Sequence, residues 1–317
     1  MSLTLLRCAL ALLLLVVVPV AARAATPIGL ATIVDGDAVL VRDVARLGLA
    51  EGVALEPGDI VETTPKASVV RLELVDGTVL DLGPDTRLLL APRLRDARRA
   101  RASDAYLLQG WLKLAATNGA ASKRVGIATA PADVTTLGGS TVEHVEGDAL
   151  VLFQESGQST IAEAAAPNGS APRPLKAGET YAWRDGKASV QPRPDPAFVA
   201  LLPRTFRDAL PRRAALFQKA SRSPKPLPAP TYADLEPWLT AEQPLRSALL
   251  PRWRRLARDA EFRSALVAHR KSHPEWERIL FPPPPPREAS AQGEARPPGS
   301  ADRPYRPPAD APPTYTR

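Results

Sequence analysis

Residues 30 to about 190 form a series of short apolar runs that are separated by pairs of turn residues. Asp35-Gly36 and Asp76-Gly77 each lie between two runs that are rich in β-branched residues. Asp-Gly in this setting is the strongest local signal for a β-hairpin, because both central residues of a type I′ turn need a positive φ. The sequence therefore predicts a fold built from short strands and tight turns.

Side chains alternate in polarity along the apolar run at 69–75. Val70, Leu72 and Leu74 point one way, and Arg71 and Glu73 point the other. A period of two is typical of a strand that buries one face and exposes the other. We therefore expect a mainly β domain, a compact stack of short strands and hairpins that is solenoid-like or sandwich-like.

The period of the sequence becomes helical after about residue 192. Phe198 and Leu202 belong to a series of apolar residues spaced three, four and seven apart, which prolines interrupt. Thr240 with Gln243 resembles a capping box that opens a helix, and Asp259 is expected to cap the next helix. This part of the chain therefore predicts several short helices.

Composition divides the chain in the same way. Residues 1–190 hold 10 prolines and a net charge of 19 − 21 = −2, whereas residues 191–317 hold 25 prolines and a net charge of 22 − 13 = +9. The last 36 residues are too poor in apolar side chains to bury a core. We expect four parts: a signal peptide at 1–24, a β domain at 25–190, a basic α-helical region at 191–281 and a disordered Pro-rich tail at 282–317.

The first segment resembles a secretory signal. Arg7 precedes an apolar run at 10–18, and Ala22-Arg23-Ala24 supplies the small residues that a signal peptidase requires. Cleavage after Ala24 predicts a periplasmic protein with no retained transmembrane segment. The alternative is an uncleaved anchor, although the apolar stretch is short for the ~20 residues of a spanning helix.

Few residues are suited to catalysis or to metal binding. The chain has one cysteine and three histidines, so a disulfide within the chain or a thiolate zinc site cannot form. His269 and His273 are spaced as helical metal ligands, but two cations lie between them. Ser140, His144 and Asp148 lack the strand-to-helix elbow of a nucleophilic site. We expect no enzyme activity, no metal and no cofactor.

Several spaced motifs resemble the FecR-like periplasmic signal-sensing domain. They are the Leu-Glu-Pro-Gly-Asp segment at 55–59, the segment 71–86 with its Asp-Gly-Thr centre, the Leu-Gln-Gly-Trp segment at 108–111 and the Leu-Lys-Ala-Gly-Glu segment at 175–179. The resemblance covers about half of the chain. It implies a non-enzymatic module that senses a signal by binding an envelope protein. Some members of the family also carry a cytoplasmic segment that regulates a sigma factor. We expect no such segment before the apolar run at 10–18.

The motif residues at the turns are interpreted as structural, because they stand where a compact β stack reverses direction. They are Gly58, Asp59, Asp76, Gly77, Gly178 and Glu179.

A cluster of basic residues suggests a second function. Arg252, Arg254, Arg255 and Arg258 concentrate charge beside Trp253, a mixture that suits an anionic partner. The alternative function is therefore an envelope scaffold that binds peptidoglycan or an anionic glycan through these helices. A solvated helical face with arginines paired to nearby carboxylates explains the same pattern. A nucleic acid is excluded as a partner by the expected export.

Overall fold

The computed structural model describes residues 26–94, 103–116, 124–166, 170–217 and 222–283. The expected signal peptide and nearly all of the expected Pro-rich tail lie outside these residues. The described residues up to Phe281 belong to one compact unit.

The first half of the described chain is almost entirely β structure, as the alternating pattern predicts. Its strands are β1 (Gly29–Asp35), β2 (Ala38–Arg42), β3 (Ala45–Gly48), β4 (Ala54–Leu55), β5 (Ile60–Thr63), β6 (Val69–Leu74), β7 (Val79–Leu82), β8 (Arg87–Leu90), β9 (Ala105–Ala116), β10 (Arg124–Ala128), β11 (Ala132–Glu146), β12 (Ala149–Glu163), β13 (Arg173–Lys176), β14 (Thr180–Arg184) and β15 (Lys187–Gln191). A short strand, β16 (Lys225–Pro226), follows later in the chain.

All of these strands belong to one large mixed sheet. Its main order is β15-β14-β12-β11-β10-β9-β8-β5-β2-β3-β16, and β1, β4, β6, β7 and β13 pair beside this path. The pairs are antiparallel except for β9 with β10. The predicted mainly β fold is therefore confirmed.

The two Asp-Gly signals have different outcomes. At Asp76-Gly77, β6 and β7 form the expected antiparallel hairpin. Only Gly77 has a positive φ, and its N–H bonds to the carbonyl of Leu74, so the turn is type I followed by a left-handed glycine, not type I′. At Asp35-Gly36 the hairpin prediction is wrong: β1 pairs with β4 and β6, while β2 pairs with β3 and β5.

The half-buried character expected of β6 is also wrong. Arg71 and Glu73, which alternation places on the outer face, are only 7% and 5% exposed. Arg71 forms an ion pair of 2.6 Å with Asp81 and donates to the backbone carbonyl of Leu210. The Glu73 carboxylate accepts the N–H of Arg213. A later part of the chain therefore covers this face through polar contacts.

The described chain after residue 191 is mostly helical. Its α-helices are α1 (Pro196–Leu201), α2 (Ala214–Phe217), α3 (Tyr232–Leu239), α4 (Gln243–Trp253), α5 (Ala260–Ala268) and α6 (Glu277–Leu280), and its 3₁₀ helices are Arg204–Arg207, Arg254–Arg258, Arg270–Ser272 and Pro274–Trp276. Asp259 caps α5 as predicted, accepting the N–H of Phe262. The predicted capping box at Thr240 is wrong, because Thr240 ends α3.

The helices pack directly on the sheet. One apolar cluster joins Tyr106 and Ile60 of the strands to Trp238, Trp253 and Phe262 of the helices. A second cluster fills the interior of the β part, and a third lies under α1 and the 3₁₀ helix that follows it. The sheet is thus covered on both faces in the regions where the helical segments pack.

Candidate interaction surfaces

Strand β15 is an open end of the sheet. Among the described strands it pairs only with β14. The chain reverses between them at Asp185-Gly186, with φ values of 50° and 72°. Both are positive, as a type I′ turn requires. The sequence analysis missed this hairpin, although it carries the same Asp-Gly signal as residues 76 and 77.

The turn determines which backbone groups of β15 face outward. A two-residue loop makes the closing pair, Arg184 and Lys187, a hydrogen-bonded pair, and such pairs alternate along an antiparallel ladder. The N–H and C=O groups of Ala188 and Val190 therefore point away from β14. The Val190 side chain is 39% exposed. This edge offers backbone donors and acceptors to an additional strand.

A cleft with a volume of about 340 Å³ lies farther along the sheet. Its aromatic wall is formed by Trp111 of β9 and His144 of β11, which are directly opposite each other in the ladder. The two rings are stacked, with centroids 3.9 Å apart and planes inclined by 17°. Phe198 of α1 packs against the indole at 5.5 Å. The helical segment thus supports the wall of the cleft.

The polar lining of the cleft comes from Asp85 of the β7–β8 turn, Gln109 of β9 and the end of β11. Gln109 donates a 2.6 Å hydrogen bond to Asp85 and accepts one of 2.6 Å from Arg87. Glu146 lies at the β11 end of the cleft. Gly110 has a φ of 92°, and a Cβ atom there would collide with the carbonyl of Asp85. Only glycine therefore permits this close approach.

His144 is neutral in this setting at neutral pH. Burial lowers its pKa, and Arg184 lowers it further, while Glu146 acts in the opposite direction. The imidazole therefore contributes a flat uncharged ring to the cleft.

Two of the family-motif turns have the same geometry. In Glu56-Pro57-Gly58-Asp59, the Gly58 φ is 88° and the Asp59 carboxylate accepts the N–H of Glu56 at 2.8 Å. In the turn that ends with Gly178 and Glu179, the glycine φ is 87° and the Glu179 carboxylate accepts the N–H of Lys176 at 2.8 Å.

Each of these two turns is also tied to a neighbouring strand by two backbone bonds, one from the glycine N–H and one to the acidic residue's carbonyl. Asp76 and Gly77 occupy the third turn, where Asp76 accepts the N–H of Thr78. The three pairs of motif residues are far apart in the chain and form three separate turns, not one site.

Two members of the predicted anionic-partner surface are committed to internal contacts. Trp253 is fully buried, and its indole N–H donates to the carbonyl of Asp43 at 2.9 Å. Arg252 donates to the carbonyls of Gly58 and Val41, and burial lowers the pKa of its guanidinium. These two residues join the helical segment to the sheet and do not form a ligand surface.

The remaining three members are exposed. Arg254, Arg255 and Arg258 lie on one short 3₁₀ helix, and their side chains face solvent. The structure brings them together, and an anionic partner for them stays a prediction.

The histidines and the serine do not form a catalytic arrangement in the described part of the chain. Ser140 donates to Glu155 at 2.7 Å, while His144 stacks on Trp111. His273 is 1% exposed beside Tyr232, whereas His269 is exposed and stacks on the same tyrosine. Within the described ranges, no group of three His, Cys, Asp or Glu residues is arranged to hold a metal ion.

One buried carboxyl group was missed by the sequence analysis. Glu143 of β11 is 0% exposed and lies between Leu112 of β9 and Leu152 of β12. Neither carboxyl oxygen has a hydrogen bond of standard geometry to a described residue. Burial raises the pKa of Glu143 to about 8, and the nearby Thr141 hydroxyl only partly offsets this. Neighbouring residues of a strand point to opposite faces, so the outward orientation expected for His144 could have shown that Glu143 points inward.

Comparisons with known proteins show only a distant likeness. No family model and no curated protein matches the chain. Two crystal structures of a candidate anti-sigma factor from Parabacteroides distasonis each match with 15% identity and a TM-score of 0.34 over 42% of this chain. The match covers 59% of that protein, so this chain spans less than two thirds of its length. The FecR-like resemblance stays a prediction.

In the part of the chain that the structure describes, no helix combines the length and the apolar character needed to cross a membrane.

Proposed function

We propose that this protein is a non-enzymatic periplasmic module, of the signal-sensing kind, that binds an extended segment of an envelope protein along strand β15. The open edge of β15 carries the proposal. Its outward N–H and C=O groups belong to Ala188 and Val190, and no described strand pairs with them. An added strand gains affinity from such backbone groups and specificity from alternate side chains.

The shape of the edge favours a partner over self-protection. Natural edge strands are commonly blocked by proline, by a bulge or by a covering loop. The β14–β15 ladder runs without a register shift over five residue pairs, and β15 contains no proline. The strand is therefore regular enough to extend the sheet.

In-cell crosslinking with Val190→Pro tests this function. Proline removes the outward N–H at 190 while leaving the bonds of Lys187, Ser189 and Gln191 to β14 intact. We expect one stoichiometric protein to be captured by the wild type and lost with Val190→Pro. Val190→Thr is the matched control, since it retains the N–H and should retain capture. Thermal denaturation confirms that both variants are folded. Equal capture by all three proteins would refute pairing at β15.

The envelope scaffold remains a second candidate because three exposed arginines lie within five residues. A triple variant in which Arg254, Arg255 and Arg258 are all replaced by glutamate should no longer be retained on purified peptidoglycan if the scaffold function holds. Retention should also weaken with salt, because exposed charges are screened over about 8 Å at physiological ionic strength. Retention that persists in the triple variant would exclude these arginines as the binding surface.

A further inference from the structure

The cleft beside Trp111 and His144 has the chemistry of a receptor for a flat cation. Stacked rings form one wall, and the carboxylates of Asp85 and Glu146 also line the cleft. The lining contains no lysine and no arginine. An aromatic wall and negative charge together attract organic cations.

The cleft is held in shape before any ligand binds. Asp85 has a φ of 49°, and its carboxylate is held by Gln109. The backbone N–H of Trp111 donates to the buried hydroxyl of Thr86 at 3.0 Å. Supports of this kind reduce the ordering cost of binding. The volume of about 340 Å³ exceeds what a single side chain requires and lies at the lower end of small-ligand sites.

We propose that this cleft binds a guanidinium group, presented by an arginine of a partner chain or by a free guanidino compound. A guanidinium is planar and delocalised, so it stacks on aromatic rings and also forms paired hydrogen bonds with carboxylates. The uncharged His144 ring adds stacking area without repelling the cation. An ammonium group has the charge but not the flat face.

The cleft and the β15 edge are separate sites. Trp111, His144, Val151, Ala182 and Ser189 form one cross-strand row, in which each residue is paired with the next. Three strand spacings separate His144 from Ser189, which corresponds to about 14 Å. An arginine in a strand added at β15 cannot span that distance. The two proposals therefore stand or fall independently.

Titration calorimetry of the full chain with blocked tripeptides tests the proposal. The probes are Gly-Arg-Gly, the neutral isostere Gly-citrulline-Gly, Gly-Lys-Gly and the free compound agmatine. We expect the arginine peptide to bind about tenfold more tightly than the citrulline peptide. Tighter binding of the peptide than of agmatine indicates a partner chain as the source, and the reverse order indicates a free compound.

Three variants locate the binding. Asp85→Asn and Glu146→Gln should each weaken arginine-peptide binding by about threefold to fivefold. Asp148→Asn is the matched control, because this exposed carboxylate lies in the same turn as Glu146 but outside the lining. The imidazole NMR signals of His144 should shift on binding in the wild type. Val190→Pro should leave this binding unchanged.

The proposal is overturned if arginine and citrulline peptides bind equally, if the lysine peptide binds more tightly than the arginine peptide, or if Asp148→Asn weakens binding as much as Glu146→Gln. The proposal is also overturned if neither the arginine peptide nor agmatine binds the folded wild type.

Discussion

The indole N–H of Trp238 donates a hydrogen bond of 2.6 Å to the Oε1 atom of Glu62. This bond joins helix α3 to strand β5 across 176 residues of sequence. Burial raises the pKa of Glu62, and the bond from Trp238 together with the charge of Arg87 opposes the rise. The helical segment therefore supplies the donor that the buried carboxylate of the sheet requires.

Trp238→Phe should destabilise the protein strongly. The change removes the hydrogen-bond donor to Glu62 and leaves the mostly buried carboxylate with only its longer ion pair to Arg87, at 3.7 Å, at a cost of about 1–3 kcal/mol. Loss of indole volume in a fully buried position adds to this cost. Urea denaturation measures the free energy of unfolding. Trp183→Phe is the control, because its half-buried indole makes no hydrogen bond to a described residue. Equal losses for the two variants would contradict a role for the bond.

Stability should fall as pH rises because of Glu143. Its pKa of about 8 in the folded protein lies above the ordinary value of 4.5, so the folded state binds the proton more tightly than the unfolded state. The stabilisation is fully present below pH 4.5 and is lost as pH rises toward 8, at up to about 1.4 kcal/mol per pH unit. The total is on the order of 5 kcal/mol.

Glu143→Gln should remove this part of the pH dependence and leave a protein that is more stable than the wild type at pH 8. The amide can donate to the nearby unpartnered hydroxyl oxygen of Thr141. Asp148→Asn, an exposed carboxylate in the turn that follows β11, is the control. Chemical denaturation between pH 5 and 8 gives the difference in the free energy of unfolding between the variant and the wild type. His144 and His273 contribute with the sign opposite to that of Glu143, and their contributions cancel in this difference. A constant difference across this range would rule out a buried, protonated Glu143.

Arg252 and Arg254 should behave differently although they are neighbours in the chain. Arg252→Ala removes the donors to the carbonyls of Gly58 and Val41 and should cost about 1–3 kcal/mol. Arg254→Ala changes an exposed side chain and should remain within about 0.5 kcal/mol of wild type. Thermal denaturation of the two variants distinguishes them. The same loss in both would mean that the arginines do not differ in structural role.

The turns that contain Asp59 and Glu179 should differ in how much stability is lost when the acidic residue is replaced by its amide. Asp59 is 1% exposed and receives two hydrogen bonds from Arg42, so Asp59→Asn should cost about 3 kcal/mol. Glu179 caps its turn at a more exposed position, and Glu179→Gln should cost less than about 1 kcal/mol. Guanidinium denaturation provides both values. A larger loss of stability for Glu179→Gln than for Asp59→Asn would show that the hydrogen bond to the backbone N–H contributes more to stability than the buried ion pair.

The local signals were reliable where neighbouring residues decide the outcome. Alternating apolar residues indicated strands, Asp59 and Gly58 were placed in a turn, and Asp259 was identified as a helix cap. Each of these features depends on contacts within a few residues.

The structure was required where distant segments meet. Sequence placed Arg71 and Glu73 on an exposed face and Trp253 on a basic surface, because nothing nearby in the chain shows that residues 210–213 cover β6 or that α4 packs on the sheet. The pairing of Trp111 with His144 depends on the register of β9 against β11, which local patterns do not encode.

By itself, the sequence determined the class of local structure: short strands with Gly-containing turns, then short capped helices. Only the tertiary structure decided which strands pair, which edge remains open at β15, and which charged groups are buried. The physical reason is that turn and strand preferences act between near neighbours, whereas burial depends on which surfaces come together when the whole chain packs.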